Sequence, residues 1–487
     1  MPRPEDLHLF PFRLPAARSP AWVIAETATS ALFSFFSLML IGRVIGPDAA
    51  GIGAVAMAAF LLLDVAGGSL FTDALVQRRE MTPVHAASAV TAQSLAGLLG
   101  GLVLAALGPT LAREAEAPDI LPLTLALAGL LPLSAFSGAV AGLVLRQQRY
   151  RLMALRAMLG LPVGLTAGLL LAHAGAGPWA MVAYQAGATV SVFLLMAFGA
   201  RQRLRPMLSR QALTALWPVA GPQVLAIVVQ AGRYRIFVIV LGMLTAEAVV
   251  AICNVAFRLL DSALGMVWGS VHRLAMPRFS ALQRDRAALA EAYGDIAQLQ
   301  ALMGMPIAAG VALTAPDLVH ALLGPAWAAA ADAARVVGWV GVASFAWGDA
   351  SSLFVALGKT RRNLIVAAWS LLVPLAALLA ARPATPIGVA WCWAASTLAI
   401  GPVLAWLALS EIRRSPLWLL RRLLPAVLAT AVMTLAVMLT RSEINGAPLQ
   451  ALVAAAATGA AVFGAVAWAA LGGRTPRALQ HAVVAAE

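Results

Sequence analysis

The chain has 487 residues, 61% of them hydrophobic and 11% charged, with a formal charge of +13 and a mean hydropathy of +0.87. Soluble domains carry about 25% charged residues, so water-soluble packing cannot hide this much apolar surface. The composition points to an all-α polytopic membrane protein, and the positive charge to basic cytoplasmic loops rather than to nucleic acid.

Residues 1–20 are polar, with Arg3, Arg13, Arg18 and several prolines. They read as a cytoplasmic arm. The apolar run behind them suits a spanning helix better than a signal-peptide core. A spanning helix needs about 20 apolar residues, and that criterion places fourteen: 21–41, 49–68, 86–108, 120–144, 157–174, 178–199, 214–242, 247–271, 298–321, 333–357, 364–381, 386–409, 425–440 and 449–471. The stretch 273–298 mixes charged and apolar residues and reads as an amphipathic helix lying on the cytoplasmic face. Residues 472–487 read as a cytoplasmic tail. With the N-terminus inside, every inner loop is basic and no outer loop holds more than one arginine. Both termini are therefore expected in the cytoplasm. No loop is large enough for a soluble catalytic domain.

The second and eighth expected spans carry related decapeptides. Residues 59–68 read "AFLLLDVAGG" and residues 256–265 read "AFRLLDSALG", 197 positions on, with seven identities and the acid in register. An even number of spans separates the copies, so both run the same way through the membrane. That predicts parallel repeats about an axis along the membrane normal: one six-helix lobe over 21–200, a cytoplasmic linker at 201–213, a second lobe over 214–409, and two appended helices within 425–471.

A charge at mid-bilayer costs at least about 2.5–3.5 kcal/mol on insertion scales, so such residues usually face a cavity or a partner. The candidates are Glu26, Asp64, Arg233, Arg235, Arg258, Asp261 and Asp349. Arg258 and Asp261 are three apart on a helix and hence neighbours; a substrate contact and an internal salt bridge are both open to them. Arg233 and Arg235 leave a helix on nearly opposite sides, so one is expected to line a cavity and the other to snorkel or pair. Glu26 shares a polar face with Thr27, Thr29 and Ser30, and Asp64 is either a cavity acid or an interfacial carboxylate. Arginine suits phosphate because its planar fork binds oxygens bidentately and stays charged. Cys253 and Cys392 fall in apolar runs and read as small core residues. The sequence shows no phosphate-binding glycine loop, metal-ligand spacing or nucleophile motif, so neither an enzyme nor a metal or organic cofactor is expected.

Seven short segments occur in order along the chain: "GRVIGPDAAG" (42–51), "ALVQRREMT" (74–82), "GPWA" (177–180), "NVAFRLLD" (254–261), "MPRFSALQRD" (276–285), "LLGPAW" (322–327) and "ALGKTRRN" (356–363). Through them the chain resembles the polysaccharide and oligosaccharide-lipid flippases, in the superfamily that also holds multidrug/toxin extruders and lipid II flippases. The resemblance implies two six-helix lobes in a V, a central cavity and alternating access by lobe rocking. It implies an undecaprenyl-diphosphate-linked oligosaccharide, a capsule, exopolysaccharide or O-antigen precursor, crossing a bacterial inner membrane. By matching motif Arg258 is a diphosphate ligand; Arg233 and Arg235 join it by position alone. Many relatives have an acid in the seventh span where this chain reads "GRYR", which weakens an ion-coupling role there.

The expected function is thus a flippase. Glu26, Asp64, Asp261 and Asp349 would tune charge or couple a proton or sodium gradient or the membrane potential. Its partners would be membrane lipids, a glycan polymerase and glycosyltransferases. The alternative in the same fold is a multidrug cation antiporter. A membrane sugar polymerase would need a larger outer loop, and a scaffold would not explain repeated intramembrane charge.

Overall fold

The computed structural model describes residues 21–78, 80–199, 205–443, 448–474, 476 and 478. The expected arm 1–20, residues 201–204 of the linker and most of the tail 472–487 lie outside the described residues. Among those described the regular structure is helical, with no strand. The first half holds α1 (Ala21–Gly68), α2 (Thr72–Gln77), α3 (Pro83–Glu114), α4 (Ile120–Ala128), α5 (Leu131–Arg146), α6 (Tyr150–His173) and α7 (Trp179–Gly199). The second holds α8 (Arg210–Gly242), α9 (Glu247–Leu282), α10 (Arg286–Leu323), α11 (Ala328–Ser344), α12 (Ala350–Ala356), α13 (Thr360–Ala381) and α14 (Pro386–Ile412). Two further helices, α15 (Pro416–Glu443) and α16 (Pro448–Ala470), pack on each other and against α10.

Ten helical segments among the described residues are long and apolar enough to cross a membrane. The chain is therefore a multi-pass membrane protein. Relative to the expected fourteen, two spans merge and three fall outside this tally. The spans 21–41 and 49–68 are joined in α1, whose 48 residues would reach roughly 70 Å as one straight helix, more than twice a hydrocarbon core of about 30 Å. The chain is bent at Gly46 (φ 80°, ψ 171°), with Pro47 following. Only glycine adopts that backbone easily. The spans expected at 214–242, 333–357 and 364–381 are helical but fall outside the ten. The second is broken between α11 and α12 at Gly348 (φ 68°).

The bend in α1 meets other glycine–proline turns. Gly324, before Pro325, takes nearly the same backbone as Gly46 (φ 85°, ψ −178°). Gly42 packs against the Trp327 ring beside it, and Arg43 donates to the carbonyl of Ala321 at 3.1 Å. A Cβ on Gly177, before Pro178, would touch Ala49. Just past the bend, a Cβ on Gly51 would stand 1.9 Å from the carbonyl oxygen of Glu247, so α1 and the start of α9 touch backbone to backbone. This end, expected to face outward, is where the two halves close on each other.

The amphipathic surface helix expected at 273–298 is not there. α9 continues to Leu282, three residues turn, and α10 starts behind Asp285, which caps it by accepting from the amides of Ala287 and Ala288. The charges that suggested a solvated face are answered internally. Asp295, buried, accepts from Arg278 at 3.1 Å and from Arg422 of α15 at 2.9 Å. Glu291 pairs with Arg414 and Arg422, and both arginines lie over the Trp418 ring. Ala290, Ala292, Tyr293 and Ile296 fill the core between them. Cys253 and Cys392 are buried free thiols.

Overpacking a tight contact typically costs about 1–3 kcal/mol. Gly51→Ala should therefore lower the melting temperature of the detergent-purified protein by several degrees. Gly310→Ala, where a Cβ meets nothing within 4 Å, should leave it unchanged or raise it. Equal melting of the two variants would show that the α1–α9 contact is not tight.

Candidate functional site

α8 carries "GRYRIFV" (232–238) into the middle of the molecule, and the helix sends the two arginines to different places. Arg235 opens into a cavity of about 170 Å³ between the halves. Ser37 of α1 and Tyr184 of α7 line it from one side; Tyr234, Arg235, Asn254 and Arg258 line it from the other. The Tyr234 hydroxyl donates to the side-chain oxygen of Asn254, which fixes α8 against α9. Arg235 donates from Nη1 to the carbonyl of Ala231 at 2.8 Å. Its Nε is buried with no hydrogen-bond partner. A cavity presenting two guanidiniums repels cations and attracts an anionic group.

Arg233 points the other way. Its guanidinium sits 5.1 Å from the centre of the Trp393 ring on α14, a cation–π distance. Trp393 is itself held by Phe257, stacked at 5.3 Å, and by Phe237, edge-on at 5.0 Å. Arg233 also attracts the Asp261 carboxylate, which Arg258 attracts from one turn earlier on α9. Asp261 is exposed, so its carboxylate faces open space.

Asp64 belongs to a second, larger cavity of about 410 Å³, built mostly from first-half residues. Ser134 stands beside it in the cavity, and Arg235 attracts it across the boundary between the halves. Its Oδ1 is buried without a hydrogen-bond partner. Each copy of the repeated acid thus lies in the field of an arginine of α8, Asp261 in that of Arg233 (with Arg258) and Asp64 in that of Arg235, and neither α8 arginine forms an ion pair within 4 Å with its acid.

The remaining candidates are placed apart from this group. Glu26 accepts from Arg156 at 3.0 Å, an ion pair within the first half. Asp349 does not sit inside a continuous span. It is the N-cap of α12, accepting from the Ser352 amide at 3.1 Å and the Ser352 hydroxyl at 2.5 Å, and that hydroxyl meets Nδ1 of His272 at 2.8 Å. The helix break explains the acid, since a carboxylate at an N-cap satisfies amides left over by the helix. Sequence reasoning passed over Trp393, Asn254, Ser134, Gln185 and Thr189. Neutral polar residues at i, i+4 spacing on an apolar helix, as at Gln185 and Thr189, were the available signal. Among the described residues no three or more His, Cys, Asp or Glu side chains gather as a metal site.

The sequence profile of the polysaccharide biosynthesis protein family matches residues 40–332, well over half of the chain. The chain belongs to that family. The matched span holds α8, α9, both cavity arginines and both copies of the repeated acid. This family member is 26% identical over 319 residues to the succinoglycan biosynthesis transport protein ExoT of Rhizobium meliloti (strain 1021), covering 64% of this chain and 63% of that relative's length. Its fold is similar to that of the lipid II flippase MurJ in an inward closed conformation. The TM-score is 0.74 at 14% identity, over 92% of this chain and 98% of that one. It is also similar to a multidrug resistance MATE family transporter in an inward-facing conformation, with a TM-score of 0.62 at 16% identity, over 80% of this chain and 98% of that one.

Removing one partner of a charge pair leaves the other without its compensation. Arg233→Gln and Asp261→Asn should each lower thermal stability. The double variant should lose less than the two losses added, by about 0.5–3 kcal/mol of coupling. Strictly additive losses in a melting series would mean that Arg233 does not answer Asp261.

Proposed function

We propose that this polysaccharide biosynthesis family member is a flippase for polyprenyl-diphosphate-linked oligosaccharides. It moves capsule, exopolysaccharide or O-antigen precursors from the inner to the outer leaflet of a bacterial inner membrane. One observation carries the proposal: Arg235 and Arg258 open into a cavity enclosed by both halves of the chain. A diphosphate is a dianion or more, with oxygens spaced for bidentate guanidinium contacts. Two arginines provide that recognition without any dependence on the protonation of the protein. The same pair argues against a drug-cation substrate, because an organic cation entering between two fixed positive charges is repelled.

Transport then follows alternating access. Lobes at 21–200 and 214–409 rock about the cavity, fourteen spans in all, with both termini in the cytoplasm. The end closed by the glycine–proline turns opens as the other end closes. Coupling to a proton or sodium gradient or to the membrane potential belongs to the same proposal. Asp261 is the acid best placed for it, because its carboxylate is exposed rather than used as a cap or locked in a hydrogen-bonded ion pair. A glycan polymerase and glycosyltransferases would supply and consume the cargo.

Deleting the gene should abolish the surface polysaccharide and leave lipid-linked oligosaccharide on the inner leaflet. Arg258→Ala should reproduce that phenotype, with transport down on the order of 10- to 100-fold, as loss of charge-assisted hydrogen bonds implies. Arg258→Lys should recover part of it, keeping the charge but not the fork. Normal polysaccharide with altered drug sensitivity in the deletion strain would overturn the proposal in favour of a drug extruder.

A further inference from the structure

Two guanidiniums line the smaller cavity, whereas most of the polar side chains of the larger one are neutral. Asp64, Ser69, Ser137, Gln185 and Thr189 are among the polar side chains lining it. Some of their donors are spent inside the protein. Ser69 donates to the carbonyl of Val65 at 2.6 Å, and Ser137 to that of Leu133 at 2.7 Å. Gln185 donates from Nε2 to the Thr189 hydroxyl at 3.0 Å. What these groups still offer is mixed: hydroxyl lone pairs and the Gln185 carbonyl oxygen accept, while the Thr189 hydroxyl and the second N–H of Gln185 donate. A cavity walled by neutral hydroxyl and amide groups suits a ligand that both donates and accepts. Sugar hydroxyls do both.

Charge and size agree with this. Arg156 also lines the cavity, but it is paired with Glu26. Asp64 stands within the field of Arg235. The net field is therefore weak, which favours a neutral polar ligand over an ion. A volume of about 410 Å³ holds on the order of ten waters or more, far more than one bare cation needs. Position agrees as well. Leu61 lines the small cavity, and Asp64, three residues on along α1, lines the large one, so the two adjoin along one helix face.

We propose that the larger cavity is the oligosaccharide subsite: the sugar next to the diphosphate docks against Asp64, Gln185 and Thr189 of the first half. The diphosphate sits on Arg235 and Arg258 across the boundary. The site rests on the flippase function proposed above and assigns the two chemical parts of its cargo to two cavities, one cationic and one neutral and polar.

The test uses the full chain in nanodiscs and two ligands: undecaprenyl diphosphate without sugar, and lipid-linked oligosaccharide extracted from the deletion strain. Gln185→Leu combined with Thr189→Val should weaken the oligosaccharide ligand about tenfold, as loss of buried hydrogen bonds implies, and leave undecaprenyl diphosphate within twofold. Asp64→Asn, which also releases Arg235, should strengthen undecaprenyl diphosphate and lower the preference for the oligosaccharide ligand over it. If the double variant does not purify, Thr189→Val alone keeps the side-chain shape and should still show a selective loss of about threefold. Equal weakening of both ligands, or no weakening, overturns the subsite. So does a loss of sodium affinity in Asp64→Asn with oligosaccharide binding intact, which would make the cavity a cation site. Arg258→Ala should weaken both ligands; if it weakens neither, the diphosphate-binding function fails while the sugar comparison remains readable. Wild-type protein that binds neither ligand sinks both.

Discussion

A charge in the middle of a hydrocarbon slab must be answered by something nearby, and α8 meets that demand for two acids at once. Arg233 answers Asp261 and Arg235 answers Asp64, one on each side of the helix because residues two apart diverge by about 200°. Much of the centre follows from this placement. Trp393 is where it is because a guanidinium turned away from the cavity needs a face to lie on, and an aromatic ring supplies one without adding a charge. Phe237 and Phe257 then hold the ring. The Tyr234 hydroxyl, between the arginines, ties α8 to Asn254. The cavity keeps Arg235 and Arg258 on the side where the halves meet.

The opposite requirement governs the closed end, where there is little charge and backbones approach closely. Gly46 and Gly324 share a conformation that a side chain would strain, and the proline after each stops the helix from simply continuing. Gly42 and Gly51 let a tryptophan ring and a carbonyl come into contact where a Cβ would not fit. Closure by small residues costs little to break and remake, since no buried ion pair has to be resolvated. Under the proposed alternating access, that would suit an end that must open better than a charged latch would.

Much of the helical pattern was legible in the sequence because apolar length is a local property. The repeated decapeptide was legible too, through an acid where none is affordable without cause. Partners were not, because they depend on packing between distant segments. Asp295 and Glu291 look like the wet face of a surface helix until Arg278, Arg414 and Arg422 arrive from α9 and α15. Asp349 looks like a charge inside a span until the chain breaks before it and makes it a cap. The divergence of Arg233 and Arg235 followed from helix geometry alone, but Trp393, about 160 positions away, did not. The serines around Asp64 carry no charge and leave hardly a mark on a hydropathy profile, so the larger cavity emerged only in three dimensions.

The bond between the halves at Asp64 and Arg235 is a field rather than a contact. Asp64 Oδ1 and Arg235 Nε are both buried without hydrogen-bond partners, yet each feels the other. A hydrogen bond is lost within a fraction of an ångström of separation, whereas a Coulomb interaction falls only as the inverse of distance and is strengthened where water is excluded. Two halves that rocked against each other, as the proposed alternating access requires, would need cohesion of the second kind. A diphosphate arriving on Arg235 would then weaken the arginine's hold on Asp64 by supplying a nearer anion, leaving that carboxylate in need of a donor. A sugar hydroxyl attached to the same diphosphate meets the need at the place where it arises. In the proposed mechanism the acid and the arginine would act as one device for reading a ligand with an anionic joint and a neutral, hydroxyl-rich head, which neither cavity alone would distinguish from a simple phosphate or a simple sugar.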